Sequence, residues 1–387
     1  MSMYLSEEDQ LFVDVTRKWV DKECPKDWCR QLEQQEHVFP HAMWDKLVEF
    51  GAHGIGIPEE YGGQGGSILN QTLFAREFSR TAAGLSWVWG VTSFSGTKAI
   101  NFCGSEAQKQ EFLPRIASGE LKTAMSFTEA GGGTDLLGGM RTRGDKVDGG
   151  WLLNGEKIWS TGADVADYLL VMARTDMNAA KRSDGISIFF VPRASPGITV
   201  TPLPKLGMRA MSSCSVLMED VFVADELLLG EPNKGWYHST KTLNNERLVN
   251  AATCLGMLDG VIEDAVAHMK SRHAFGQPIG QFQILQHYLA DMAMWQMQGE
   301  LMVLHTARLQ AEDKPSAIES GMAKVLCSDY VSKAADLGIQ ILGGMGYSAE
   351  TDMQRYWRDS RLLRLGPISN EMAKNMIAES YGMPRSF

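Results

Sequence analysis

Hydrophobic positions follow a helical period over the first third of the chain. Leu11, Val15 and Trp19 recur at intervals of four behind the sequence SEED at 6–9, which has the serine and trailing acidic residues of a helix N-terminus. Pro25 predicts the end of this helix, because proline cannot continue one. Further helices are predicted at 41–50, 69–81, 85–101 and 104–120.

The spacing of hydrophobic positions then changes to every second residue, as in strands, and later returns to the helical period. From about residue 121, short β-prone runs alternate with Gly, Pro and Asp, which is typical of strands joined by turns. These strands are predicted at 122–127, 151–161, 167–173, 186–191, 198–202 and 215–223. After Gly235, helices are predicted at 237–270, 281–312, 315–341 and 370–381.

The changes of period predict an α+β multidomain fold. We expect an N-terminal all-α domain at 1–120, a middle antiparallel β-domain at 121–233 and a C-terminal antiparallel helical bundle at 234–387. Three long helices and a shorter one suit such a bundle, because each helix buries an apolar stripe against its neighbours.

Composition and charge narrow the classes of partner. The 387 residues are 44% apolar and carry a net charge of −10, which argues against nucleic-acid binding. The six cysteines lack metal-ligand spacing, so we expect reduced thiols and no metal site. No apolar run approaches membrane-spanning length, and acidic residues stand at the N-terminus where a signal or transit peptide carries bases. We therefore expect a cytoplasmic protein with no membrane segment.

The stretch from Met125 to Thr161 carries the strongest candidate chemistry. A glycine-dense loop at 131–133 lies between two predicted strands, and glycine lets the backbone approach a bulky ligand because it has no Cβ. Alternation along the second strand puts Trp159 and Thr161 on one face and Ser160 on the other. An indole beside a hydroxyl suits a flat ring system with heteroatoms. A buried tryptophan in an ordinary barrel is the alternative interpretation.

Two motifs in this stretch resemble those of the acyl-CoA dehydrogenases. Residues 128–135 read TEAGGGTD and residues 154–162 read NGEKIWSTG, where the family has T-E-P-G-x-G-S-D and N-G-x-K-x-(W or F)-I-T-x-G. Ala130 and Thr134 are mild departures, and neither removes a role. The resemblance extends over essentially the whole chain and implies bound FAD. The cofactor contacts that it implies come from Phe127, Thr128, Gly133, Thr134, Trp159 and Thr161, and Thr134 is also an implied substrate contact.

The resemblance also bears on the catalytic base. Most family members carry a glutamate near the C-terminus, at a position that Pro367 occupies here, and proline cannot act as a base. A minority branch, which resembles isovaleryl- and long-chain-type dehydrogenases, places the glutamate on the first helix of the bundle before an arginine. Glu246 and Arg247 stand there in this chain, so Glu246 is the expected base and Arg247 a candidate for binding the CoA end of the substrate or orienting Glu246. A Glu–Arg pair without a catalytic role is the plainer interpretation.

Pro367 also lacks a backbone N–H that, in the family, helps to stabilise the thioester oxygen. Three alternatives remain: Ile368 supplies its N–H instead, the ribityl hydroxyl of the flavin acts with less help, or the chain is a slow or silent subunit.

Two further segments resemble the family's site for a cofactor that is shared between subunits. Residues 271–276 read SRHAFG and residues 340–347 read QILGGMGY. In the family, the arginine binds the flavin pyrophosphate of a neighbouring subunit, so the resemblance implies a homodimer or homotetramer. The further cofactor contacts that it implies are Arg272, Phe275, Gln340, Gly344, Ser369 and Glu371.

The expected activity is FAD-dependent α,β-dehydrogenation of an acyl-CoA thioester to the trans-2-enoyl-CoA, with electrons passed to an electron-transfer flavoprotein in fatty acid metabolism. One alternative is an enoyl-CoA reductase, since residues 246–251 read ERLVNA and resemble the crotonobetainyl-CoA reductase group. Another is a catalytically silent subunit of a hetero-oligomer, which the proline at position 367 favours.

Overall fold

The computed structural model describes residues 4–35 and 38–385, apart from the side chain of Lys241. The outer ends of the first and third expected domains, 1–3 and 386–387, lie outside these residues. Helices come first along the described chain. Their bounds are Glu7–Glu23 (α1), Lys26–Glu33 (α2), His41–Phe50 (α3), Ile68–Ser79 (α4), Ala83–Gly90 (α5), Thr97–Cys103 (α6) and Glu106–Ala117 (α7).

Local sequence signals set the bounds of the first helix. The Ser6 hydroxyl accepts a hydrogen bond from the backbone N–H of Asp9 at 3.1 Å, and the Asp9 carboxylate accepts one from the backbone N–H of Ser6 at 3.4 Å. This reciprocal capping begins α1, and the helix ends at Glu23, two residues before Pro25. Both predictions are confirmed.

The single helix predicted at 85–101 is interrupted in the structure. Between α5 and α6 the chain makes a π-helical turn at Val91–Gly96. Gly96 lies so close to the first strand that an added Cβ would be 2.1 Å from the Thr123 hydroxyl. Hydrophobic spacing alone does not report such a close approach, so the interruption was not predicted.

The middle of the chain forms an eight-stranded sheet. The strands are Thr123–Ser126 (β1), Arg143–Val147 (β2), Gly150–Thr161 (β3), Tyr168–Arg174 (β4), Ile186–Pro192 (β5), Ile198–Pro202 (β6), Ser213–Ala224 (β7) and Leu228–Leu229 (β8). They are arranged in the order β6-β7-β3-β2-β4-β5-β8, with β1 paired to β4. A short helix, Leu136–Gly139 (α8), follows β1.

The sheet is mainly antiparallel, as predicted, but β1 runs parallel to β4 with Thr123 opposite Tyr168. A single pair between β2 and β4, Arg143 opposite Arg174, is also parallel. Parallel strands need a long crossover, and the loop with β2 and β3 supplies it between β1 and β4. This crossover carries both motifs of the stretch from Met125 to Thr161.

The chain returns to helices at Gly235. The remaining elements are Gly235–Ser271 (α9), His273–Ala274 (β9), Gln277–Pro278 (β10), Gln283–Ala311 (α10), Ala317–Leu342 (α11), Gly344–Tyr347 (α12), Met353–Leu363 (α13) and Asn370–Ser380 (α14). Helix α13 was not predicted, because its buried face is polar. Arg355 and Tyr356 are buried there and donate hydrogen bonds to the backbone carbonyls of Thr81 and Arg80.

Helices from both ends of the chain share one hydrophobic core, whereas the sheet has its own. Gly256 lets α9 approach α4 so closely that an added Cβ would be 2.0 Å from the backbone carbonyl of Arg76. The Arg76 guanidinium also forms an ion pair with Asp259 at 2.8 Å. The first helix of the bundle is therefore held between the N-terminal helices and the rest of the bundle.

Candidate active site

The residues after β1 are held against the end of β3. The backbone N–H of Ile158 donates a hydrogen bond to the carbonyl of Thr128 at 2.9 Å, and the Lys157 ammonium donates one to the carbonyl of Phe127 at 3.1 Å. Phe127 and Thr128 therefore lie next to Trp159. The structure brings together the two segments that the sequence singled out.

A buried ion pair fixes this junction. Lys157 is fully buried, and its Nζ lies 2.8 Å from Oε1 of Glu129. The same carboxylate accepts hydrogen bonds from the backbone N–H groups of Arg141 at 2.6 Å and Thr142 at 2.9 Å. Burial lowers the pKa of Lys157 to about 8, and the Glu129 charge opposes that shift. Burial raises the pKa of Glu129, but Lys157 and Thr142 outweigh it, so the carboxyl stays below its ordinary value.

Sequence reasoning did not assign roles to Glu129 and Lys157, although both lie inside the motifs. Their signal is the lysine itself, because Lys157 is the one basic residue in the two motifs. Since an unpaired buried charge is costly, a lysine on an inward-facing strand position calls for a nearby carboxylate.

Trp159 presents an open aromatic face at the end of β3. Its side chain is 57% exposed, whereas Thr161 is partly exposed and Ser160 is buried. The pairing of β3 with β7 shifts register between Lys157 and Ser160, and Trp159 has a φ of 62°. This irregularity turns the indole outward, because a left-handed residue breaks the regular alternation.

The glycine-dense loop leaves room beside this face. An added Cβ at Gly131 or Gly133 would meet no atom within 4 Å, and Gly133 has a φ of 50°. An exposed indole, a neighbouring hydroxyl and a loop without side chains fit a flat, polar ring system such as a flavin. Phe127, Thr128, Gly133, Thr134, Trp159 and Thr161 are the residues of this chain that would hold it.

Glu246 lies on α9 with its side chain partly buried. Burial raises the pKa of Glu246 to about 7, and the positive charge of Arg247 opposes that shift. Arg247 donates a hydrogen bond to the Asn244 side-chain oxygen at 2.9 Å, and burial lowers the pKa of Arg247. Among residues 4–35 and 38–385, no hydrogen bond or ion pair to the Glu246 carboxylate is present. The carboxylate is thus free to take a proton at neutral pH.

A small cavity of about 10 Å³ lies between the loop after β1 and the first turns of α9. Phe127 lines it from the loop after β1, and Thr242 lines it from α9. Thr242 is one helical turn before Glu246, so the two residues share a face of the helix. The loop of the predicted flavin site and the helix of the predicted base therefore border the same space.

Pro367 lies in the turn between α13 and α14, after a cis peptide bond from Gly366. Ser369 caps α14, since its hydroxyl accepts a hydrogen bond from the backbone N–H of Met372 at 3.2 Å. Asn370 accepts a hydrogen bond at 2.6 Å from the buried ammonium of Lys324. Burial lowers the pKa of Lys324 to about 8. This segment is anchored firmly to α11.

Four residues are expected to face the cofactor of a neighbouring subunit. They do not contact the residues around Trp159, and they are open to solvent. Phe275 has a φ of 50°, is 95% exposed, and touches Phe282 edge-on with the ring centroids 6.0 Å apart. Arg272 follows α9, Gln340 lies near the end of α11, and Gly344 begins α12. In the described chain, no hydrogen bond, ion pair or ring contact joins these four residues to those around Trp159.

Among the described residues, none of the helices combines the length and the apolar composition that a membrane span requires. No group of three or more His, Cys, Asp or Glu side chains is arranged there to hold a metal ion.

Three family models match the chain in succession. They are the acyl-CoA dehydrogenase N-terminal domain at residues 6–120, the middle domain at 124–221 and the C-terminal domain at 233–382. A probable acyl-CoA dehydrogenase, YngJ of Bacillus subtilis (strain 168), is 34% identical over 389 residues, covering 98% of this chain and 99% of the relative.

Two further similarities bear on the chemistry. The caffeyl-CoA reductase-Etf complex subunit CarC of Acetobacterium woodii is 32% identical, covering 97% of this chain and 98% of the relative. The solved structure of butyryl-CoA dehydrogenase from Megasphaera elsdenii superposes with a TM-score of 0.92 at 30% identity, covering 99% of this chain and all of the other.

Proposed function

The chain belongs to the acyl-CoA dehydrogenase family, and we propose that it desaturates an acyl-CoA thioester at the α,β bond with Glu246 as the base. The family comprises FAD-dependent oxidoreductases that act on CH–CH groups. The α-proton leaves to a carboxylate, and bound FAD supplies the acceptor for the hydride from the β-carbon. The product is the trans-2-enoyl-CoA.

The observation that carries this proposal is the state of Glu246. Its pKa of about 7 gives both protonation states near neutral pH, which is what a general base needs. Its carboxylate is not committed to a partner within the described residues, and it lies one turn from a cavity that Phe127 also lines. A structural ion pair with Arg247 would lower this pKa strongly instead.

Other residues of the chain have supporting roles in the proposal. Phe127, Thr128, Gly133, Thr134, Trp159 and Thr161 hold the flavin ring system, and Thr134 also contacts the substrate. Arg247 binds the CoA end of the substrate or orients Glu246. Ser369 and Glu371 reach the cofactor from the segment that anchors α14.

We propose that a second copy of the chain completes the cofactor site. Arg272, Phe275, Gln340 and Gly344 lie apart from Trp159, and a phenylalanine that is 95% exposed suits a surface covered by another molecule. In this arrangement, Arg272 binds the pyrophosphate of the partner's FAD, a bidentate task for which a guanidinium is suited. A homodimer is the smallest assembly in which each chain can complete the cofactor site of another. A homotetramer contains two such pairs.

An electron-transfer flavoprotein is the proposed electron partner. The relative CarC is a subunit of a caffeyl-CoA reductase-Etf complex, so at least one similar protein assembles with such a partner. The same similarity favours a second candidate function, the reduction of an enoyl-CoA. The two directions share the site and differ in which thioester the enzyme meets in the cell.

Anaerobic titration of the purified flavoprotein with acyl-CoAs of increasing length tests the proposal. We expect at least one of them to bleach the visible flavin absorbance, with the enoyl-CoA as product. The protein could instead contain full FAD that no acyl-CoA bleaches and, once reduced, no enoyl-CoA reoxidises. That result would support a catalytically silent subunit.

A further inference from the structure

Gln310, near the end of α10, bridges three helices of the bundle. Its Nε2 donates hydrogen bonds to the backbone carbonyl of Asn244 at 3.2 Å and to the Ser320 hydroxyl at 2.8 Å. Its Oε1 accepts a hydrogen bond from Nδ2 of Asn245 at 2.5 Å. Asn244 and Asn245 belong to α9, whereas Ser320 belongs to α11. One amide therefore joins α9, α10 and α11 at a single level of the bundle.

These bonds hold the turn of α9 that carries the proposed base. Asn244 and Asn245 are the two residues immediately before Glu246. Successive residues of an α-helix are rotated by about 100° and advance by about 1.5 Å. A bond to the backbone of one residue and a bond to the side chain of the next therefore fix both the rotation and the height of this turn. The Asn244 side chain also accepts a hydrogen bond from Arg247 at 2.9 Å, so the same turn holds that guanidinium.

The bridge is a poor source of stability. Asn245 is buried, and its Oδ1 has no hydrogen-bond partner in the described chain. An unmet buried acceptor offsets much of what a hydrogen bond contributes to folding. In coiled coils, a single buried asparagine selects one helix register at a cost in stability. The bridge from Gln310 has the same character, so its consequence lies in the register that it selects.

The chemistry of Glu246 depends on where its carboxylate lies. Burial raises the pKa of Glu246, and Arg247 is the charged group that opposes the shift. Within the described chain, no hydrogen bond or ion pair holds the carboxylate in place. Its position therefore follows from that of the α9 backbone. A shift of the helix by one residue would turn the carboxylate by about 100° away from its present surroundings.

We propose that Gln310 is a positioning residue for the base: by holding Asn244 and Asn245, it selects the register of α9 that keeps the Glu246 carboxylate buried. The inference rests on the proposed function, in which Glu246 removes the α-proton. Gln310 acts through the backbone of α9 and carries no charge, so its effect on Glu246 is one of position and not of Coulomb attraction.

The double variant Gln310→Met/Asn245→Leu tests the proposal, because it replaces both amides by apolar side chains of similar size without changing a charge. We expect the urea midpoint of unfolding to stay the same or to rise. On the best acyl-CoA, kcat should fall by about tenfold or more with KM nearly unchanged, since a small displacement of a reacting group can cost about 10²-fold in rate. The pH midpoint of kcat/KM should fall by about one pH unit or more, because a less buried carboxyl ionises more readily.

Two further variants complete the comparison. Gln310→Met alone should shift the pH midpoint in the same direction but with a lower urea midpoint, because it leaves the Asn245 amide without its acceptor. Gln298→Met is the matched control. Gln298 is exposed on the same helix, and its Oε1 accepts a hydrogen bond from the Tyr330 hydroxyl of α11 at 2.6 Å. This bond joins α10 to α11 but not to α9, so kcat and the pH midpoint should keep their parental values.

A parental pH midpoint in both Gln310 variants would overturn the proposal, whatever happens to kcat or to stability, because the bridge would then only support the fold. If the parent turns over no acyl-CoA, infrared difference spectra between pH 5 and 9 decide the proposal separately from the proposed function. Glu246→Gln identifies the carboxyl band of Glu246 in those spectra. A lower titration midpoint of that band in the double variant than in the parent supports the proposal, and equal midpoints contradict it.

Discussion

Glu246 acquires its chemistry from its surroundings rather than from its type. A carboxyl in water is ionised well below neutral pH, but burial against α9's neighbours raises the pKa of Glu246 to about 7. Arg247 limits that shift without forming a hydrogen-bonded pair, because its guanidinium bonds Asn244. Adjacent residues on a helix point in different directions, which keeps this pair apart.

At the residue scale, the pH dependence of kcat/KM is the direct consequence. The base acts only when ionised, so kcat/KM should fall tenfold per pH unit below about 7 and reach a plateau above it. Arg247→Gln should move the midpoint to higher pH, since the charge that lowers the pKa of Glu246 is then gone. Steady-state rates between pH 5 and 9 measure both. A midpoint near the ordinary carboxyl value in both proteins would contradict the account.

Sequence patterns located Glu246 only through resemblance to a family, since a Glu–Arg pair on a helix has no distinctive spacing. The pKa of Glu246 is raised by burial, and burial depends on packing between helices that spacing along the sequence does not report.

At the scale of elements, the Glu129–Lys157 pair joins the loop after β1 to strand β3. Lys157→Met should destabilise the folded protein by roughly 3–5 kcal/mol, because it leaves the Glu129 carboxylate buried without its partner. Urea unfolding of the apoprotein measures this. The double variant Glu129→Gln/Lys157→Met is the control and should recover part of the loss. A single variant as stable as the parent would show that the pair is not needed for this junction.

The turn that carries Pro367 is anchored by Asn370 and Lys324. We expect Ile368 to supply the N–H that Pro367 lacks, so Pro367→Ala should change turnover by less than about tenfold. Rates on the best acyl-CoA, compared at saturating substrate, are the measurement. A gain of tenfold or more would mean that the native site lacks a donor, since one such donor typically contributes about 2.7–4 kcal/mol to the transition state.

Elements were predicted well where a proline or a glycine marks both of their ends. Helix α3 and strand β6 have the predicted bounds. Helix α13 was not predicted because its buried face carries Arg355 and Tyr356, which satisfy backbone carbonyls of the N-terminal helices. The parallel pairing of β1 with β4 was not predicted, since a strand's own pattern does not report the direction of its neighbour.

At the scale of the whole molecule, helices from the two ends of the chain pack into one core. We propose boundaries near residues 120 and 233, where helices give way to strands and strands to helices. Helix α4 of the N-terminal group packs against α9, the helix that carries Glu246. Phe275, in contrast, is 95% exposed.

Arg272→Ala tests the shared cofactor site. We expect lower FAD occupancy with unchanged turnover per bound flavin, because Arg272 binds the partner's cofactor and does not touch the reacting atoms. Flavin absorbance per chain and sedimentation velocity are the measurements. Lys270→Ala, which removes an exposed charge two residues away, is the control and should keep full occupancy. A fully flavinated monomer would contradict the two-chain site.

The central claim is that Glu246 removes the α-proton, and Glu246→Gln tests it most directly. The substitution keeps the size and polarity of the side chain but removes the base. We predict that FAD content and acyl-CoA affinity stay near the parental values, while the rate of flavin bleaching by a substrate acyl-CoA falls by at least about 10²-fold, the low end for a positioned acid–base group. Bleaching at the parental rate would contradict the assignment of Glu246.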